Sequence, residues 1–325
     1  MRVFVTGATG FIGGRAAERL TAAGHELSCL VRKTSDTGRL SKLGATLTPG
    51  DITDKASVLE GMNGCDWVIN IAAAYTFWLP RKQVYTAINV GGTRNVIEAA
   101  VEKGVSKVVH VSTVAVYGKP AESPFKEDVA PGPVRFSEYA RTKYEGDLAA
   151  WEISKSRNLP LVMVYPGGVL GPNDPKATGE YIQNLIGGRM PATVFDDARF
   201  PWVHVRDVAE IIVRAAEKEG NAGEKYLAVA ETLTFGQINQ MISEISGVTL
   251  PRLKMPDWLA MANAVLLTAV ADITKKPPLL GMAIDQMRTM KVGAEVDGSK
   301  AQRELGITYT PIRVALEEAI ASYKL

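Results

Sequence analysis

Thr6-Gly7-Ala8-Thr9-Gly10-Phe11-Ile12-Gly13 follows directly on the run Arg2-Val3-Phe4-Val5 and leads into a helical pattern at 15–23. A strand, a glycine-rich turn and a helix in that order present free backbone amides at a helix N-terminus, where a pyrophosphate is readily held. Gly7 is expected to make the tight turn, Gly10 to let phosphate approach, and Gly13 to let helix pack closely on strand. Thr9, Phe11 and Ile12 complete the expected cradle. A plain strand-to-helix turn is the alternative, but three glycines three apart at this point in the topology favour a dinucleotide.

Working outward, short β-branched runs at 3–6, 27–31, 45–48, 66–71, 107–112 and 161–165 alternate with helical patterns at 15–23, 93–102 and 138–155. That alternation predicts an α/β fold, a Rossmann-type doubly wound parallel sheet covered on both faces. After Pro166 the pattern loosens through Gly167-Gly168, Gly171-Pro172, Asp174-Pro175 and Gly187-Gly188. The expected organisation is a nucleotide-binding domain at 1–165 with segments returning near 201–230, and a smaller substrate-binding lobe from 166–200 and 231–325. An amphipathic helix at 311–323, with proline in its first turn, ends the chain.

Among 325 residues, 37 Lys and Arg stand against 35 Asp and Glu, a balance that gives no reason to expect nucleic acid as a partner. Cys29 and Cys65 lie in or beside predicted strands, and no Cys or His spacing suits a metal, so no metal and a reducing cytoplasm are expected. The chain opens directly on a strand, without a secretory leader pattern. The apolar run 258–271 is shorter than the roughly 20 residues of a membrane span. It is expected to be a buried or pocket-covering helix, with an interfacial membrane contact as the other reading.

The second strand runs into Arg32-Lys33, where an NAD-specific protein usually carries an acid for the ribose 2′-hydroxyl. A guanidinium there suits a 2′-phosphate, so NADP(H) is expected ahead of NAD(H). Asp51 is expected either to accept from the adenine amino group or to cap the following helix. Tyr139 and Lys143, four apart on a predicted helix, share one face. An ammonium near a phenol favours its ionised form, so the pair is expected to exchange a proton with an alcohol or ketone.

These stretches together resemble the extended short-chain dehydrogenase/reductase family, within the NAD-dependent epimerase/dehydratase superfamily, over nearly the whole chain. Besides the glycine turn, the resemblance rests on Asp51-Ile52, Ile71-Ala72-Ala73, Asn89-Val90-Gly91-Gly92-Thr93, Ser112 to Gly118, Tyr139 with Lys143, Gly171-Pro172, and Val203-His204-Val205-Arg206-Asp207. It implies a catalytic Thr113, Tyr139 and Lys143, with the lysine also on the nicotinamide ribose. It further implies cofactor contacts at Ile52, Ala72, Ala73, Ala74, Asn89, Ser112, Tyr165, Pro166, Gly168 and Val169, and a homodimer through the helices 93–102 and 138–155. His110 reads as a packed core histidine and His204 as structural.

The branch most similar is that of dihydroflavonol reductase and 3β-hydroxysteroid dehydrogenase. Sugar-nucleotide members tend to carry Arg and Asn where Tyr165 and Gly168 stand, and an Arg where Phe200 stands, with Arg199 one residue off. Val114 and Ala115 replace the acid pair of a 4,6-dehydratase. The expected substrate pocket is Tyr75, Phe77, Trp78, Leu79, Leu170, Phe200 and Trp202, with Val169 and the helix from Trp258 beside them, although any of these also suits plain packing between the lobes. The resulting expectation is a reductase of a ketone on a fairly apolar small molecule; the alternatives are a nucleotide-sugar epimerase with retained NAD(P) and a catalytically idle NADP-binding regulator.

Overall fold

A computed structural model describes residues 1–323. Its first six strands are β1 (Arg2–Thr6), β2 (Glu26–Val31), β3 (Thr46–Pro49), β4 (Trp67–Asn70), β5 (Lys107–Val111) and β6 (Leu161–Pro166), close to the sequence expectation. The others are β7 (Gly168–Leu170), β8 (Arg199–His204), β9 (Lys225–Ala228) and β10 (Glu231–Thr234). Seven strands form one sheet in the order β3-β2-β1-β4-β5-β6-β9, with parallel pairing throughout. Val3, Phe4, Val5, Val108, Val109 and Val162 are fully buried, as strands covered on both faces require. The strand order reverses between β1 and β4, so a crevice opens beyond their C-terminal ends.

Thirteen α-helices cover and extend this sheet among the described residues: α1 (Phe11–Ala22), α2 (Gly38–Lys42), α3 (Lys55–Gly61), α4 (Gln83–Tyr85), α5 (Thr93–Lys103), α6 (Glu138–Arg157), α7 (Ala177–Ile186), α8 (Val205–Glu217), α9 (Phe235–Ser246), α10 (Asp257–Thr274), α11 (Ile284–Val292), α12 (Ser299–Leu305) and α13 (Ile312–Ser322). Helix α1 packs against α8 on one face, while α3, α5 and α6 bury apolar residues on the other. A π-helical stretch, Thr86–Gly92, joins α4 to α5 and carries the buried Asn89. Strands β10, β8 and β7 make a second sheet. Its Leu170 and Trp202 share a core with Ile182, Phe235 and Leu316 from α7, α9 and α13.

Two segments lie elsewhere than the sequence grouping suggests. Ala301, Leu305 and Ile307, although late in the chain, complete the core at the β9 edge of the large sheet, because α12 packs on β9 and α8. Helix α10 is not the buried helix expected at 258–271. It is 18 residues long with mean hydropathy 1.2, long and apolar enough by length and composition to cross a membrane, yet only 17% of it is buried in the protein.

Candidate active site

The cleft begins at the glycine turn. Gly7 has φ +71°, and a Cβ there would stand 2.8 Å from the Ala72 backbone nitrogen; one on Gly13 would stand 2.0 Å from the Gly7 carbonyl oxygen. No other side chain permits this approach of α1 to β1 and β4. Gly10 caps α1 without a side-chain acceptor, so the first amides of the helix face the cleft with the positive end of its dipole. That cradle fits a dinucleotide pyrophosphate. At the end of β2, Arg32 and Ser35 line the same cleft, and among the described residues Arg32 forms no salt bridge. Asp51 also lines it, with Oδ1 accepting from the Thr53 amide and hydroxyl; the cap of α3 is Asp54, not Asp51.

Ser137 starts α6 by accepting from the Ala140 amide, and the helix then carries Tyr139, Lys143 and Asp147 inward at successive four-residue steps. Thr113 follows β5 and, with Tyr139, faces the cleft. The ring of Tyr75 meets that of Tyr139 edge-on at 5.1 Å between centroids. Burial pushes the Tyr139 phenol above the usual tyrosine range, Tyr75 and Asp147 add to this, and the Thr113 hydroxyl opposes it. The expected lowering by Lys143 is therefore not what the side chains show. Lys143 Nζ donates to the Val111 carbonyl at 2.9 Å, and burial lowers its own pKa.

Behind the lysine lies a closed polar chain. The Ile71 and Ala72 amides, each at 3.2 Å, donate to Thr6 Oγ1, so the Thr6 hydroxyl donates to Asn70 Oδ1 at 2.6 Å. That sets the Asn70 amide to donate from Nδ2 to His110 Nδ1 at 2.9 Å, leaving the proton of the neutral ring on Nε2. His110 Nε2 stands 3.3 Å from both Lys143 Nζ and Asp147 Oδ1, the latter without hydrogen-bond alignment. Ser112 Oγ donates to Asp147 Oδ2 at 2.6 Å. Burial keeps His110 below the usual histidine value, and Lys143 adds to this. His110 is thus more than core packing. Asn70 and Asp147, unremarked in the sequence, join it, and the one readable signal was Asp147 four residues beyond Lys143.

The cleft brings together Gly7, Thr9, Gly10, Phe11, Ile12, Gly13, Arg32, Asp51, Ile52, Ala72, Ala73, Ser112, Thr113, Tyr139, Pro166, Gly168 and Val169 with the pocket residues Tyr75, Phe77, Phe200 and Trp202. Eight expected residues do not line it. Lys33 is exposed to solvent, while Lys143 lies beneath Tyr139. The Ala74 amide donates to Asn89 Oδ1, and Asn89 donates to Thr142, so both brace the wall from behind. Tyr165 is buried against Tyr117 at 5.4 Å, and Leu170 belongs to the second-lobe core. Trp78 turns outward and donates to Asp272 at 2.9 Å. Neither Leu79 nor α10 enters the lining. Tyr181, Phe235 and Met290 do, from α7, α9 and α11, helices whose relation to the cleft only the fold reveals. His204 caps α8 by accepting from the Arg206 amide at 2.9 Å, a structural contact.

The model of the NAD dependent epimerase/dehydratase family matches residues 3–228. Sterol demethylase protein B of Methylococcus capsulatus is 30% identical, covering 100% of this chain and 98% of its own. A putative dihydroflavonol 4-reductase of Synechocystis sp. is 29% identical over 98% of this chain and 93% of its own. The crystal structure of gox2253 superposes with a TM-score of 0.83 at 33% identity, covering 98% of this chain and 97% of that one.

Proposed function

Since this chain belongs to the NAD dependent epimerase/dehydratase family and is an NAD(P)-dependent oxidoreductase of the short-chain type, we propose that it is an NADP(H)-dependent reductase of a ketone on an apolar small molecule. One observation carries the reading. The substrate end of the cleft is walled by Tyr75, Phe77, Tyr181, Phe200, Trp202 and Phe235, and among the described residues no arginine lines it. Arg199, the nearest candidate for gripping a sugar diphosphate, pairs with Glu295 at 3.2 Å outside the lining. Lys176 is the one basic side chain on that side among the described residues, too little for a diphosphate. The names of the two relatives, a sterol demethylase protein and a dihydroflavonol reductase, support a polycyclic substrate.

In this reading residues 1–165 and 201–230, joined by the late helix α12, form the cofactor domain, and 166–200 with the rest of 231–323 form the substrate lobe. The glycine turn and Ala72 cradle the pyrophosphate side, Arg32 takes a 2′-phosphate, and Lys143, held beneath Tyr139 on the Val111 carbonyl, would turn its ammonium to the ribose when the cofactor is bound. The bound cofactor supplies the hydride. Thr113 donates a hydrogen bond to the carbonyl oxygen, and Tyr139 protonates that oxygen as it becomes an alkoxide. A phenol held above its usual range is protonated at neutral pH, which suits reduction. In a homodimer the outer faces of α5 and α6, where Leu148 is exposed, make the contact.

NADPH oxidation measured against polycyclic and long-chain ketones, and separately against nucleotide sugars, tests the reading. Turnover of the ketones is expected, with Arg32→Asp weakening NADPH about 10–100-fold relative to NADH through loss of charge-assisted hydrogen bonds. Equal affinity of the parent for both cofactors counts against NADP(H). Protein that retains NAD and turns over nucleotide sugars without added NADPH overturns the reductase.

A further inference from the structure

Helix α10 is turned inside out. Its buried residues are Ala260, Ala264 and Ala271, while Trp258 (71% exposed), Val265, Leu266 (62%), Val270 and Ile273 (81%) face solvent. At 100° per residue, the exposed positions 258, 262, 265, 266, 269, 270 and 273 fall in one arc with no polar member. The polar residues of the helix sit outside that arc and are engaged. Asn263 contacts Met255 Sδ, Thr268 accepts from the Ile284 amide, and Asp272 accepts from Trp78 Nε1. A continuous large apolar stripe of this kind marks a surface that something covers.

The charges around the stripe say what. Residues 251–291 carry six basic side chains against Asp257, Asp272 and Asp285. Each acid is already occupied: Asp257 by Lys291 at 3.4 Å, Asp272 by Trp78, and Asp285 by the Glu138 amide at 2.8 Å. Lys254 pairs with Asp196. Arg252, Lys275, Lys276 and Arg288 are exposed and in no salt bridge among the described residues. An apolar stripe with an exposed tryptophan at one end, Lys275 and Lys276 directly after the other, and further unpaired cations in the flanking segments is complementary to an anionic lipid surface.

We propose that the exposed face of α10 docks this protein in the interface of an anionic bilayer, lying along it rather than spanning it, since the alanine face stays packed on the protein. Helix α11 packs against α10 and lends Gln286, Thr289 and Met290 to the cleft wall, so docking brings the cleft beside the lipid. The surface does not rest on the reductase reading, because lipid binding is measured without turnover.

Co-sedimentation of the full chain with phosphatidylcholine vesicles containing about one third phosphatidylglycerol, against pure phosphatidylcholine, tests it. The parent is expected to sediment with the anionic vesicles and to be released by about 0.5 M salt. Leu266→Glu with Ile273→Glu is expected to abolish binding while the NADPH affinity stays within about twofold. Lys275→Gln with Lys276→Gln, which leaves the apolar face intact, is expected to weaken binding about tenfold or more, and it decides the matter if the first variant fails to fold. Parent protein that stays in the supernatant with anionic vesicles overturns the proposal. So does a parent assembly that the Leu266→Glu, Ile273→Glu variant dissociates, since the stripe is then covered by a second copy.

Discussion

Helices α6 and α10 both face the wrong way for ordinary amphipathic helices, and they differ in where the mismatch is resolved. Helix α6 buries Tyr139, Lys143 and Asp147 and exposes Leu148; α10 buries three alanines and exposes Trp258, Leu266 and Ile273. Within α6 the inward polar groups find partners in the chain, Lys143 on Val111 and Asp147 on Ser112, so a buried charge is tolerable. The outward apolar groups of α10 find none. An inverted helix closed from inside points to chemistry, and one left open points to an external surface.

The contrast can be broken at either helix. The largest effect is expected from Tyr139→Phe, which should lower ketone turnover about 10²–10⁴-fold, the usual contribution of a positioned acid, while NADPH binding survives in fluorescence titration. Retained turnover would remove the chemical half of the contrast. Asp147→Ala should cost about 1–3 kcal/mol in urea unfolding, because it strands the Ser112 hydroxyl and deprives the buried Lys143–His110 cluster of its anion. An unchanged midpoint would mean that α6 does not depend on its inward partners. The smallest effect is expected from Leu266→Glu with Ile273→Glu, which should move the unfolding free energy by less than about 0.5 kcal/mol, since neither side chain packs on the protein. A loss of several kcal/mol would show a buried face instead.

The parallel sheet was legible because fully buried strands write β-branched runs that need no tertiary information to recognise. The seventh strand, β9, was harder. Lys225–Ala228 is only four residues long, and it pairs with β6 across some sixty residues of chain. For the site, the glycine turn and the Tyr139–Lys143 spacing are local patterns and were readable. The Thr6–Asn70–His110 relay was not, since its members come from three strands and meet only through their register. The direction of the Tyr139 pKa shift was also misjudged. A four-residue spacing says that an ammonium can reach a phenol, but it carries no information on burial, which prevails here, or on the Val111 carbonyl that takes the lysine.

By itself, then, the sequence determined a dinucleotide cradle, a parallel α/β sheet and a tyrosine–lysine face, all encoded at separations of three or four residues. Tertiary structure alone decided which groups surround that face, that the substrate wall is aromatic, and that the apolar residues of α10 look outward. Burial and partnership belong to segments distant in the chain, and hydropathy along one helix is the same whichever side the rest of the protein covers.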